Sequence, residues 1–142
     1  MRHAISQADL EFRDAVEACE FPVDDFDHPA HIRLAYIYLA ESHSVEETVI
    51  RVRNTLLGLL QHVGVDPSEK YHETMTEAWL QAVYHFMHES GDTASSDEFI
   101  AANPKLLNSK IMLSHYSEAL LFSKEARASF IAPDLAPIPQ HT

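Results

Sequence analysis

Two histidines one helical turn apart, His28 and His31, are the residues of this sequence best placed to act together. Residues three apart on a helix have Cβ atoms roughly 5–6 Å apart, so both imidazoles can reach one metal ion at about 2.0–2.1 Å. His31 also begins an i, i+3, i+4, i+7 series of apolar residues that ends at Tyr38, which predicts an inward-facing side chain. HxxH therefore predicts two ligands of one site, although a helix cap and a core histidine would give the same pattern.

His72 is predicted to be a third inward histidine. Trp79 and Val83 lie at helical offsets from it and belong to the apolar side of the helix that follows. Glu73 comes directly after it, and a carboxylate there can be a ligand, orient an imidazole or move a proton. We therefore take Glu73 as the candidate catalytic residue, the alternative being a favourable charge near a helix N-terminus.

His115 is the candidate fourth ligand, because Met112, Ala119 and Phe122 follow helical spacing around it. A single histidine on an apolar stripe is also a common core residue. Aromatic and thioether side chains near these histidines are the candidates for the wall of a pocket, and each alone could equally be ordinary core: Tyr38, Tyr71, Met75, Trp79 and Tyr116.

Three imidazoles and an open position are typical of catalytic rather than structural metal sites. Zinc, iron, copper and nickel all accept imidazole, so the ligand type leaves the divalent transition metal open. The expected function is that of a metal-dependent enzyme acting on a small molecule, by hydrolysis or isomerisation with a redox-inert ion and by oxidation with iron or copper. The alternative is a non-catalytic module that binds a small ligand or a protein, with structural histidines. One inward histidine would also suffice to ligate a haem.

The elements that must position these residues are helices. Capping residues, apolar periodicity and helix breakers predict four main helices, at about 6–20, 28–42, 45–63 and 74–88, then shorter ones at about 97–102, 109–121 and 123–131. The proline-rich end, PDLAPIPQHT, predicts an extended tail anchored by Leu135 and Ile138. The expected fold is all-α, a single-domain helical bundle over 1–142 with a shorter helical C-terminal part and irregular ends at 1–5 and 136–142.

Composition narrows the classes of partner. The 142 residues carry a formal net charge of -12, which repels phosphate backbones and anionic membranes, so no nucleic acid and no membrane are expected. A lone Cys19 allows no internal disulfide, and the first residues lack the apolar run of a signal peptide. A cytoplasmic location and a small-molecule substrate or ligand are therefore expected.

Two motifs resemble the signature of an uncharacterised group of small bacterial helical proteins. They are FxHxxH at 26–31 and KYHETxTxAW at 70–79, and a closing stretch from Tyr116 to Leu135 is also similar, so the resemblance spans about 21–139. The resemblance implies that His28, His31 and His72 belong to one set. It implies no reaction and no substrate.

Overall fold

The computed structural model describes residues 2–141, and all the regular secondary structure in that range is helical. In chain order its helices are α1 (Gln7–Glu17), α2 (His28–Ser42), α3 (Val45–His62), α4 (Pro67–Lys70), α5 (Glu73–Glu89), α6 (Ser96–Ala102), α7 (Glu118–Leu121) and α8 (Lys124–Ala128). Three 3₁₀ turns lie between them, at Val23–Asp25, Pro104–Leu107 and Ile111–Ser114. The all-α prediction is therefore confirmed. None of these helices is both long enough and apolar enough to cross a membrane.

The long helices begin and end close to where the sequence places them. Ser6 and Ser44 cap α1 and α3 by accepting backbone N–H groups, and Gly64 follows α3 in the left-handed region at φ 77°. Helix α1 ends at Glu17, three residues before the expected end. There the chain turns back at Cys19, which has φ 58°, and no helix can continue through that conformation.

Helix α2 is the central element of the core. It packs against α1, α3, α5 and α6, and all the residues in 34–40 are buried. A helix that is apolar on every side has to be surrounded by other elements. His28 and His31 lie in the first turn of α2, shortly before this fully buried stretch, so the two histidines stand at one end of the most enclosed helix.

The C-terminal third is less regular than the sequence predicts. The expected helix at 109–121 is divided into the Ile111–Ser114 turn and α7, because Ser117 accepts the N–H of Leu120 and starts a new helix. Beyond α8, Ile138 is buried in a second apolar cluster with Met112, Tyr116 and Leu121. Leu135 is 59% exposed, so the expected side-chain anchor is absent there, and its backbone N–H donates to the carbonyl of His115 at 2.9 Å. The predicted irregular ends include Met1 and Thr142, which lie outside the described residues.

A buried carboxylate links three helices. Asp9 in α1 accepts hydrogen bonds from the Ser96 hydroxyl (2.5 Å) and N–H (2.9 Å) at the start of α6, and from Arg33 Nε (3.2 Å) in α2. It also accepts the N–H of Ser6. Burial raises the pKa of Asp9, but these hydrogen bonds outweigh it, so the pKa lies below its ordinary value.

Replacing Asp9 by alanine is expected to lower the free energy of unfolding by about 2–3 kcal/mol, because several donors to a charged group lose their acceptor. The exposed Glu11 on the same helix supplies the control, since Glu11→Ala should change stability by less than about 0.5 kcal/mol. Urea titration at neutral pH measures both changes. Equal effects of the two substitutions would contradict the structural role of Asp9.

The lowered pKa fixes the direction of the pH dependence. The ionised Asp9 contributes stability at pH values above its ordinary pKa of 3.8, and that contribution is lost as the pH falls through the lower folded-state value. The free energy of unfolding of the Asp9→Ala variant should therefore fall less steeply than that of the wild-type protein as the pH decreases through this range.

Candidate functional site

A cavity of about 590 Å³ lies between α2, α3, α5 and the connection that precedes α2. Its wall is mainly apolar and aromatic, with Phe21 and Phe26 from the connection, Leu56 and Leu60 from α3, and Trp79 from α5. This volume falls within the range of about 300–1,000 Å³ that small-molecule sites occupy, and such sites combine an apolar wall with a few polar groups.

The three histidines predicted to form one set, His28, His31 and His72, all line this cavity. Tyr71, Met75 and Trp79, three of the five predicted pocket residues, line it as well. The structure thus brings these residues to one cavity from two helices, which is the arrangement that a shared site requires. Whether they hold a metal ion depends on their ring nitrogens.

Both ring nitrogens of His72 are used within the fold. Nδ1 accepts the N–H of Met75 at 3.0 Å and so caps α5, while Nε2 donates to the carbonyl oxygen of Leu121 at 2.7 Å. Burial lowers the pKa of His72, which favours the neutral ring that this pair of bonds needs. A metal ion could be bound by His72 only if one of these bonds broke.

His28 and His31 each have one ring nitrogen tied to a backbone carbonyl. Nε2 of His28 donates to Leu106 at 2.8 Å, and Nδ1 of His31 donates to Asp27 at 2.8 Å. Because a carbonyl oxygen only accepts, these nitrogens carry the proton of the neutral ring, and the lone pair lies on Nδ1 of His28 and on Nε2 of His31. No group in residues 2–141 forms a hydrogen bond with either lone pair.

His31 lines the cavity and is also exposed to solvent. The Phe26 ring lies against it, with ring centroids 4.3 Å apart. Burial lowers the pKa of His31, and the hydrogen bond to Asp27 offsets only part of this effect. At neutral pH the cavity therefore contains an uncharged imidazole whose Nε2 can accept a hydrogen bond or ligate an ion.

Glu73, the candidate catalytic residue, is nearly buried beside the cavity and is not part of its wall among the described residues. Both of its oxygens accept hydrogen bonds from Arg53, one of them at 2.9 Å, and the Tyr71 hydroxyl donates to it at 2.6 Å. Arg53 lowers the pKa of Glu73. A proton-transfer role for Glu73 stays a prediction, and it would require this ion pair to open.

Three other predicted site residues lie outside the described cavity wall. Tyr38 is fully buried, and its hydroxyl donates to Glu17 at 2.5 Å beneath the guanidinium of Arg51. The Tyr116 hydroxyl donates to the carbonyl of Ile131 at 2.6 Å, and His115 Nδ1 donates to the carbonyl of Ala136 at 2.7 Å. These contacts connect helices and the C-terminal segment to each other.

Residue types and spacing do not indicate that part of the apolar stripe of α3 borders a cavity. Leu56, Leu60 and Val63 have the spacing of ordinary core residues, yet they line it, as do Phe21 and Val23 from the connection before α2. Apolar periodicity shows which side of a helix avoids water, and it does not show whether the opposing surface fills the space.

No group of three or more histidine, cysteine, aspartate or glutamate side chains within 2–141 is arranged to hold one metal ion. Comparison of the chain with protein-family models, with curated proteins and with solved structures found no match. The cavity and the histidines that line it are therefore the features that indicate a function.

Replacing His72 by alanine is expected to lower the free energy of unfolding by about 1–2 kcal/mol, because the cap of α5 and the bond to Leu121 are lost. His72→Asn should recover part of this loss, because asparagine can cap a helix but is too short to replace the whole imidazole. Chemical denaturation of the three proteins measures the difference. An asparagine variant no more stable than the alanine variant would contradict the capping role.

Proposed function

We propose that this chain binds a small, largely apolar molecule in the main cavity and that His31 accepts a hydrogen bond from the one polar group of that molecule. The observation that carries the proposal is an uncharged imidazole whose Nε2 lone pair has no described partner, in the wall of a cavity of about 590 Å³. Contact with an apolar wall favours binding but does not fix the orientation of a ligand. A single hydrogen-bond acceptor selects one orientation and one kind of ligand group.

The polar residues that line the cavity indicate which functional group the ligand has. A ligand group that donates a hydrogen bond, such as a hydroxyl or an N–H, can pair with Nε2 of His31. Lys70 is exposed and lines the cavity as well, so a weakly acidic hydroxyl is better accommodated than a cation. The ligand we propose is an apolar alcohol or phenol.

A second candidate is the metal-dependent reaction predicted from the sequence, with His28 and His31 as its protein ligands. Both rings have an unengaged lone pair, and both donate their other N–H to a backbone carbonyl, as metal-bound histidines commonly do. Two imidazoles leave several positions for water and substrate, and zinc, iron, copper and nickel all accept them. His72 joins this set only if it gives up one of its present bonds, and His115 lies outside the described cavity wall.

We also propose a cytoplasmic protein with no nucleic-acid partner, in which the four long helices α1, α2, α3 and α5 act as one bundle around the cavity. The support is the net charge of -12, the lone cysteine and the packing of α2, α3 and α5 against one another.

The hydrogen bond to His31 can be tested with a matched pair of probes, 1-naphthol and naphthalene. The wild-type protein is expected to bind 1-naphthol about tenfold more tightly, which corresponds to about 1.4 kcal/mol for a hydrogen bond that naphthalene cannot form. In His31→Phe the two affinities should become equal. Ligand-observed NMR gives the affinities, and the indole N–H signal of Trp79, the one tryptophan, reports occupancy of the cavity.

Two controls locate the binding. His62→Phe changes an exposed histidine on α3 and should leave both affinities unchanged. Leu60→Trp fills the cavity from a half-buried position and should abolish binding of both probes. A preference for 1-naphthol that survived in His31→Phe would contradict the role of His31, and undiminished binding to Leu60→Trp would contradict the cavity.

The metal-dependent alternative is tested by elemental analysis of untagged protein. It predicts one equivalent of a transition metal, a gain in melting temperature on adding that metal, and loss of both in a His28→Ala, His31→Ala variant. Less than about 0.2 equivalents with no thermal gain would contradict it.

A further inference from the structure

A second group of histidines meets at the far end of α5. His85 and His88 lie one turn apart near the end of this helix, and His141 reaches them from the C-terminal segment. The ring of His141 stacks on that of His88, with centroids 4.1 Å apart and an interplanar angle of 11°, and it lies 5.1 Å from the ring of His85. Three imidazoles separated by up to 56 positions are thus brought together away from the main cavity.

Two nitrogens of this group are close enough to share an ion. Nδ1 of His85 and Nε2 of His141 are 2.9 Å apart, and in the metal-free protein they share one proton in a hydrogen bond. Nitrogen ligands bind Cu²⁺ most strongly among the divalent ions of the first transition row, with Ni²⁺ below it, so these two ions are the expected occupants of a pair of imidazoles.

The surroundings fit an ion with open coordination positions. His141 is part of the wall of a second cavity, of about 430 Å³, whose other polar residues include Glu77 and Gln81. Nδ1 of His88 donates to the carbonyl of Tyr84 at 2.9 Å, and its Nε2 has no bond to any residue within 2–141. The remaining positions of an ion bound here are therefore open to water, to the exposed His88 after a rotation of its side chain, or to a molecule in the second cavity.

We propose that His85 and His141 bind a divalent copper or nickel ion, which replaces the hydrogen bond between them and fixes the C-terminal segment to α5. The ring that donates this hydrogen bond changes tautomer on binding, so that its proton lies on its other nitrogen, and both rings turn so that their lone pairs face the ion. This site uses two protein ligands, and it is therefore compatible with the absence, within residues 2–141, of any group of three histidine, cysteine, aspartate or glutamate side chains that could hold a metal ion. The site is separate from the main cavity and does not depend on its function.

The test is titration of untagged protein with Cu²⁺, followed by calorimetry and by electron paramagnetic resonance. We expect one equivalent to bind and the spectrum to show hyperfine coupling to two imidazole nitrogens. His85→Ala and His141→Ala should each weaken binding by about tenfold or more, with coupling to one nitrogen remaining. Ni²⁺ should bind at the same place more weakly than Cu²⁺.

Matched variants separate ligation from other effects. His62→Ala removes an exposed histidine elsewhere and should leave the Cu²⁺ affinity unchanged. His141→Gln keeps a hydrogen-bonding side chain opposite His85 but has no imidazole, so it should bind Cu²⁺ as weakly as His141→Ala. Circular dichroism of the metal-free variants checks that each is folded. Cu²⁺ affinity unchanged in the His85→Ala, His141→Ala double variant, or lost only in the His28→Ala, His31→Ala variant, would overturn the proposal.

Discussion

The structure depends on the burial of α2 on all of its sides. Because residues 34–40 are enclosed all round, the helix can neither rotate nor slide without exposing apolar surface to water at about 25 cal/mol per Å². Its first turn is therefore held in place, and with it the rings of His28 and His31. The same constraint makes α3 and α5 pack against α2, and the cavity lies where their side chains stop short of one another.

Polar contacts hold the elements around this core at defined positions. Asp9 joins α1 to α2 and α6, the Glu73–Arg53 pair joins α5 to α3, and His72 joins the start of α5 to α7 through Leu121. Each of these groups is at least partly buried, where an unpaired polar atom costs about 1–3 kcal/mol. They consequently specify one arrangement of the helices, and two of them, at Glu73 and His72, flank the cavity.

The helices could be predicted closely, because caps and breakers act locally: α2 has its expected bounds, and α3 and α5 differ by one residue at their ends. The grouping of His28, His31 and His72 at one cavity was also predicted, whereas the hydrogen bonds of their ring nitrogens were not. Whether a ring nitrogen is hydrogen-bonded depends on backbone carbonyls such as those of Leu106 and Leu121. These residues lie far away in sequence, and every residue type has a backbone carbonyl, so the sequence does not reveal the partner. The contact between His85 and His141 could not be predicted for the same reason, because it depends on the path of the chain after α8.

The number of unengaged histidine lone pairs distinguishes a metal site from a hydrogen-bonding site in the main cavity. A metal ion needs several donors converging on one point, and here His72 has no donor left to offer, which leaves His28 and His31. A hydrogen bond from a neutral ligand needs one acceptor, and the apolar wall of the cavity contacts the rest of the ligand. His31, with Nδ1 fixed by Asp27 and a pKa lowered by burial, meets that smaller requirement as the fold stands. Binding of an apolar molecule therefore requires no rearrangement of the capping bonds, whereas a three-histidine metal site would have to break the cap of α5 to form.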